Sequence, residues 1–382
     1  MRTVSWRFTE TAAWGWRDLG LCLFLLSQSH VSTARWGLPV LGLCGLIALW
    51  RGEFVAEARL SMLEVISVGW LLAMVISSGL GTDVDRSLQL SSALLPALVA
   101  YVLGRSGHHA GLSAGLALLI IFSSVQLALA YWASASVVPA DWVHAAAVPW
   151  LVVPNDWVWV MVALPLIGID LPSQNASSRG LWMGLVALAI IVAVMLQSRT
   201  ALLCAVAALL AWSWKRRQFW QLLTGLALVV LTLDALQGFH LLAKFGAALN
   251  TRLALWWSAW QIFLESPWTG IGPHNYVQVY QNNLPPADSL LPVDQRLTPW
   301  PHNLWLEILA EMGVVGAGFT VGVMIAIVRR WQQLPATIST AVGPALAAFV
   351  IAAMLETSML RIWTWIVLAI ILIYLSITKE RL

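Results

Sequence analysis

The sequence predicts an all-α fold, a polytopic membrane helical bundle of about 12 transmembrane helices with one large loop on the outer side that contains short helices of its own. Three observations carry this. Only 10% of the 382 residues are charged and 60% are hydrophobic, with a mean hydropathy of +0.79, whereas a soluble domain carries roughly 25% charged residues. Apolar runs of about 16 to 25 residues recur from end to end, the length a helix needs to cross a hydrocarbon core about 30 Å thick. Many of the 24 tryptophans flank those runs, among them Trp36, Trp50, Trp182, Trp214, Trp220 and Trp331, where an indole faces lipid headgroups. The net charge of +3 is too small to argue for a nucleic-acid partner.

Helices are expected at 18–34, 36–50, 60–80, 87–104, 110–133, 156–170, 181–197, 200–214, 218–236, 303–328, 338–357 and 361–377. The first run lacks a small-residue cleavage site and is followed at once by further spans, which argues against a cleaved signal peptide. With the N-terminus in the cytoplasm, fourteen of the 21 lysines and arginines fall on the inner side and seven on the outer side, as the positive-inside rule asks. The cysteines, Cys22, Cys44 and Cys204, lie inside apolar runs and read as small buried hydrophobes. The chain divides into residues 1–236 (nine spans), 237–302 (the outer loop) and 303–382 (three spans).

Residues 181–214 are apolar except at Gln197-Ser198-Arg199-Thr200. As one helix they would measure about 51 Å, too long for the bilayer core, so the chain must fold back there. Arg199 is then recessed into the membrane from the outer side, where a guanidinium calls for a wet cavity or an anion. In the outer loop, Leu253, Trp256, Trp257, Trp260 and Phe263 recur at helical spacing and predict an amphipathic helix. Asn250 or Thr251 would cap it and place Arg252 in its first turn, where the helix dipole favours an anion. Pro267, Gly270, Gly272 and Pro273 then mark turns. His144, His240 and His274 read as structural.

The stretch "PWPHNLWLEILAEMGVVG", residues 299–316, sets His302 and Asn303 at the lip of the tenth helix, followed by Glu307 and Glu311. Glu307 and Asn303 are candidates for touching or supporting an acceptor. Glu311 is expected near mid-membrane, bonded to a neighbouring helix or protonated, and Gly313 and Gly316 are expected to let another helix pack closely. Asp83-Val-Asp85 is spaced to hold a divalent cation, but it reads as a solvated loop, so no metal and no cofactor are expected.

Three stretches carry a resemblance: His302-Asn303 followed by Gly313 and Gly316, Arg199-Thr-Ala-Leu-Leu203, and "RLALWWSAWQIFLESPWTGIGPHNY" from Arg252. Together they resemble the O-antigen ligases within the wider ligase and polymerase superfamily of membrane glycosyltransferases. The resemblance covers roughly 181–330. It implies a multi-pass protein of the bacterial inner membrane whose active site faces the periplasm. It also implies a metal-independent, inverting transfer of a glycan from undecaprenyl diphosphate to a hydroxyl of lipid A–core. On this reading His302 is the base and Arg199 and Arg252 bind the diphosphate. An imidazole ordinarily titrates near pH 6.5 and suits proton removal from a hydroxyl. Arginine suits a phosphate through its planar fork of donors. Some polymerases of the superfamily carry a Gly ten residues after an outer-loop Arg, and neither arginine here has it, which favours ligase over polymerase. The alternatives are a polysaccharide polymerase with a lipid-linked acceptor and, in another class, a polytopic transporter. Against the transporter stand the absence of duplicated halves and the long loop placed after the ninth span.

Overall fold

The computed structural model describes residues 15–51, 61–91, 94–105, 110–134, 139–149, 151, 153–170, 176–213, 240–286, 289, 291, 299–356, 359 and 361–376. The expected span at 218–236 lies outside them. Every regular element among the described residues is helical: α1 (Trp16–Ser27), α2 (Val31–Trp50), α3 (Met62–Leu80), α4 (Val84–Ser91), α5 (Leu95–Gly104), α6 (Ala110–Ser134), α7 (Pro139–Ala145), α8 (Val158–Asp170), α9 (Ala176–Met195), α10 (Arg199–Ser213), α11 (His240–Glu265), α12 (Leu304–Gln333), α13 (Ala336–Leu355) and α14 (Ile362–Leu375), with a short helix Tyr276–Val279 and a 3-10 turn Tyr280–Asn282 between α11 and α12. A 3-10 turn, Pro154–Trp157, leads into α8. Five helices are long and apolar enough to cross a membrane: Ser32–Trp50, Met62–Leu80, Gly111–Ser134, Leu304–Gln333 and Ile338–Leu355. Four more apolar helices are shorter: α5, α10, α14 and Leu181–Met195 within α9. The protein is an all-helical, multi-pass membrane protein, with fewer full-length spans among the described residues than the dozen expected from hydropathy.

Two expected boundaries are corrected. The first turn falls at Gln28–His30 rather than at Arg35, because the His30 imidazole caps α2 by accepting from the Ser32 amide at 3.1 Å. The expected helix 87–104 is two helices, α4 and α5. Pro96 sits in the first turn of α5, where its missing N–H costs nothing and its ring opposes a preceding helical residue. The fold-back at 197–200 is present. Gln197 takes φ +52, the Ser198 amide donates to Ala193 O and the Gln197 amide to Val194 O, both at 3.0 Å. This left-handed closure satisfies the last carbonyls of α9. The Ser198 hydroxyl then accepts from the Ala201 amide (3.3 Å) and caps α10.

The long helix α12 is broken, and the break explains its glycines. Gly313 has φ +61 and ψ −163, and the segment Ser266–Gly272 docks into the gap. Ile271 N donates to Ala310 O (3.1 Å), Gly272 N to Glu311 O (3.0 Å) and Val314 N to Pro267 O (2.8 Å). The backbone groups freed by the break are thus paired with the loop. A Cβ at Gly313 would strike the Trp268 and Pro267 carbonyls, and one at Gly270 would strike the backbone of Glu311 and Met312. Gly313 therefore admits a loop, not the second helix expected from its spacing. Glu311 accepts from the amides of His274 (2.7 Å) and Tyr276 (2.9 Å), the latter the first residue of the short helix Tyr276–Val279. A small second core of Leu255, Ala259, Ile262, Ile271, Tyr276 and Ala310 seals α11 and the loop onto the first half of α12.

The bundle has two chemically distinct ends. At one, Arg105 pairs with Glu64 at 2.8 Å, Arg330 Nε donates to Leu375 O and the Ser376 hydroxyl donates to Arg105 O. At the other, the ends of α9 and α13 and the starts of α8, α10, α12 and α14 converge.

Candidate active site

His302 sits immediately before α12 with φ +52, a left-handed conformation that costs a β-substituted residue free energy and persists only when its surroundings fix it. The fixing groups come from both sides. Asn303 is the N-cap of α12, its Oδ1 accepting from the amides of Trp305 (3.1 Å) and Leu306 (3.2 Å). On the preceding side, Trp256 Nε1–H donates to Pro301 O at 2.9 Å, tying the segment to α11. The ring of Trp300 lies 4.5 Å from that of His302, tilted by 37°.

Four residues away from Trp256, one turn along α11, is Arg252. Its guanidinium donates to Glu356 Oε2 at 3.2 Å. The other carboxylate oxygen, Oε1, lies 3.4 Å from His302 Nδ1, an electrostatic contact without hydrogen-bond alignment. Asn155 Nδ2 also donates to Glu356 Oε2 (3.0 Å), and its own Oδ1 accepts from the Ser198 hydroxyl at 3.0 Å. Ser198 is followed by Arg199, the first residue of α10. Glu356 thus holds Arg252 directly, faces the imidazole, and is two side-chain hydrogen bonds from the start of the helix bearing Arg199. Glu356 and His302 are 5% and 8% exposed; a carboxylate so buried needs the partners it has.

The structure brings together Arg252 and His302, as expected from sequence, with the start of α10 beside them. It corrects the reason for Arg252. The helix does not begin at Asn250 but runs from His240 to Glu265, so Arg252 is mid-helix and receives no help from a dipole. Residues 240–249 contain no proline, and helix propagation overrides the capping preference of Asn250 and Thr251. Among the helix N-termini at this site is that of α10, at Arg199.

Glu307 is buried and its Oε2 accepts from the Met359 amide at 3.1 Å, which anchors the segment between α13 and α14. Asn303 is committed to its cap. Asp83 Oδ1 accepts from the Arg86 amide (2.9 Å) and Oδ2 from Gln278 Nε2 (3.1 Å); the Arg86 amide, helped by Gln278, holds its carboxyl below the usual range. His274 is buried in the outer loop with φ +67. Burial first, and the nearby Arg86 second, push its imidazole down to about 4. The three cysteines are free and buried.

Sequence reasoning missed Glu356, Asn155, Trp256, Trp300 and Arg361. For Glu356 the signal was available, since an acid at the end of the apolar run 338–357 demands a partner. Arg361 lies 3.8 Å from Asp156 Oδ2, and its guanidinium carbon sits 5.2 Å over the Trp300 ring.

The fold and these side chains define a class: a helical membrane protein with arginines, an imidazole and a buried carboxylate gathered at one end of its bundle. A family model described as O-Antigen ligase matches residues 183–321, the stretch containing Arg199, Arg252 and His302. No curated protein matches the chain at a significant level. Asn155, Glu356 and Arg361 lie outside the matched residues.

Proposed function

We propose that the protein is an O-antigen ligase of the bacterial inner membrane. It moves a glycan from undecaprenyl diphosphate to a hydroxyl of the lipid A–core oligosaccharide at the periplasmic face, without a metal and with inversion. The observation that carries this reading is the meeting of Arg252 and His302 on the two oxygens of Glu356. A carboxylate against Nδ1 leaves Nε2 as the nitrogen for the reaction, the logic of acid–base dyads in general. The acceptor oxygen attacks the anomeric carbon from the side opposite the diphosphate. Its proton passes to Nε2 of His302, and the bond between the anomeric carbon and the phosphate oxygen breaks with its electron pair leaving on the diphosphate. Arg252 uses one amino group on Glu356 and has further N–H donors for a phosphate oxygen. Arg199, at the N-terminus of α10, supplies a second guanidinium where a helix end favours an anion.

The lipid tail requires an apolar seat. A cavity of about 310 Å³ lies between α3, α5, α12 and α14, and Leu304 and Trp305, just past His302, form part of its wall. Its lining is almost wholly aliphatic and aromatic, which suits branched hydrocarbon.

Purified protein supplied in detergent with polyprenyl-diphosphate-linked glycan and lipid A–core tests the proposal. His302→Ala is expected to abolish transfer while donor binding persists, and full activity in that variant refutes the base assignment. Chelator is expected to leave transfer unchanged. A polymerase would differ in its acceptor, so extension of a second lipid-linked repeat in place of lipid A–core would reassign the reaction within the family.

A further inference from the structure

We propose that Arg361 is a positioning residue for the transfer reaction: through Trp300 it fixes the plane in which the His302 imidazole meets the acceptor hydroxyl. This rests on the reading of His302 as the base.

The imidazole is held at Nδ1 by a long, poorly aligned contact with Glu356, 3.4 Å from oxygen to nitrogen. One such contact leaves a ring free to turn about its own bonds. The left-handed backbone at His302 sets where the side chain starts, not where its ring points. What lies against the ring is the indole of Trp300, 4.5 Å between centroids. That indole carries the Arg361 guanidinium 5.2 Å from its centroid, a separation at which a cation is attracted to an aromatic ring. Arg361 is in turn oriented by Asp156, whose Oδ2 is 3.8 Å away and also accepts from the Val153 amide at 3.0 Å.

The arm therefore runs from the 3-10 turn before α8, through the residue that precedes α14, to the lip of α12. Each member rests on a different element, so the order of the stack is a tertiary property. The Asp156 side chain is 5% exposed and that of Arg361 20%, so the pair is shielded from the solvent that makes surface ion pairs weak. Glu356, held by Arg252 and Asn155, faces His302 at Nδ1, whereas Trp300 meets the ring itself. Loss of the arm loosens orientation and leaves those groups in place. A misplaced catalytic group costs turnover more than ground-state binding.

The test compares Arg361→Gln, Trp300→Leu, the double variant, Arg361→Lys and Trp300→Phe in the detergent assay, with thermal unfolding followed in parallel. Arg361→Gln and Trp300→Leu are each expected to lower kcat by roughly 10- to 100-fold with KM for donor and acceptor within about 3-fold. The double variant is expected to be no worse than the slower single one, because both break one arm. Trp300→Phe, which keeps a stacking ring, and Arg361→Lys, which keeps the cation, are expected to recover most of kcat; if Arg361→Gln does not fold, Arg361→Lys against Trp300→Leu carries the comparison. A rise in KM at constant kcat would make Arg361 a ligand for the diphosphate and overturn the proposal. So would full additivity of the two losses, or wild-type kcat in both Arg361→Gln and Trp300→Leu. His302→Ala separates the two readings. An active His302→Ala removes the premise, whereas an inactive one beside unimpaired Arg361 and Trp300 variants refutes the arm alone.

Discussion

At Glu356 one carboxylate accepts a guanidinium and a side-chain amide on Oε2 and faces an imidazole with Oε1. Glu356→Gln keeps the shape but replaces an acceptor-only group by one that must also donate. Transfer is expected to fall at least about 100-fold, and Glu356→Ala to lower stability by about 1–3 kcal/mol, since it leaves the half-buried Arg252 without this partner; thermal unfolding and turnover measured on both variants separate the effects, and wild-type turnover in Glu356→Gln would contradict this role. His274 makes a different prediction. Its folded value of about 4 lies below its ordinary 6.5, so folding favours the neutral ring. The contribution is complete above pH 6.5 and is lost as pH falls from there toward 4. It amounts to about 3 kcal/mol at most, taking 1.36 kcal/mol per pH unit. Unfolding midpoints recorded across that window should fall for the wild type and flatten for His274→Gln.

The break in α12 is the element on which the site depends. It lets the segment Ser266–Gly272 hydrogen-bond into the helix and so joins α11, which carries Arg252, to α12, whose N-cap follows His302. Gly313→Ala meets both a positive φ and the carbonyls of Pro267 and Trp268. It is expected to cost several kcal/mol, on the order of 3 or more, and to prevent accumulation of folded protein. Gly318, on the same helix, has nothing within 4 Å of the position its Cβ would take. Gly318→Ala should be neutral or stabilising by about 0.5–1 kcal/mol. Equal unfolding midpoints for the two variants would contradict the role assigned to the break.

On the scale of the whole molecule, the fourteen-to-seven split of lysines and arginines predicts which end of the bundle faces the cytoplasm. The native cysteines are buried, so introduced ones report on sidedness. Gln281, exposed beside the outer loop, and Gln332, exposed at the far end of α12, provide the pair. A membrane-impermeant thiol reagent is expected to label Gln281→Cys in intact spheroplasts and Gln332→Cys only after lysis. The reverse pattern would place the site at the cytoplasmic face and end the proposal of a periplasmic reaction.

Hydropathy and charge made the helical membrane class legible, and the fold-back before Arg199 followed from length alone, since a helix of 34 residues outruns a bilayer. Arg199, Arg252 and His302 were legible because each is polar where its surroundings are apolar. The sequence could not pair them with Glu356, more than fifty residues beyond His302, because a lone carboxylate at a span end has no periodicity that names its partner. Nor could it tell that Gly313 receives a loop rather than a helix, since both demand the same missing Cβ. Local rules act over a turn or two of chain and so decide which segments become helices. Which helix ends meet around one carboxylate is decided only when distant apolar faces pack, and that packing is what tertiary structure adds.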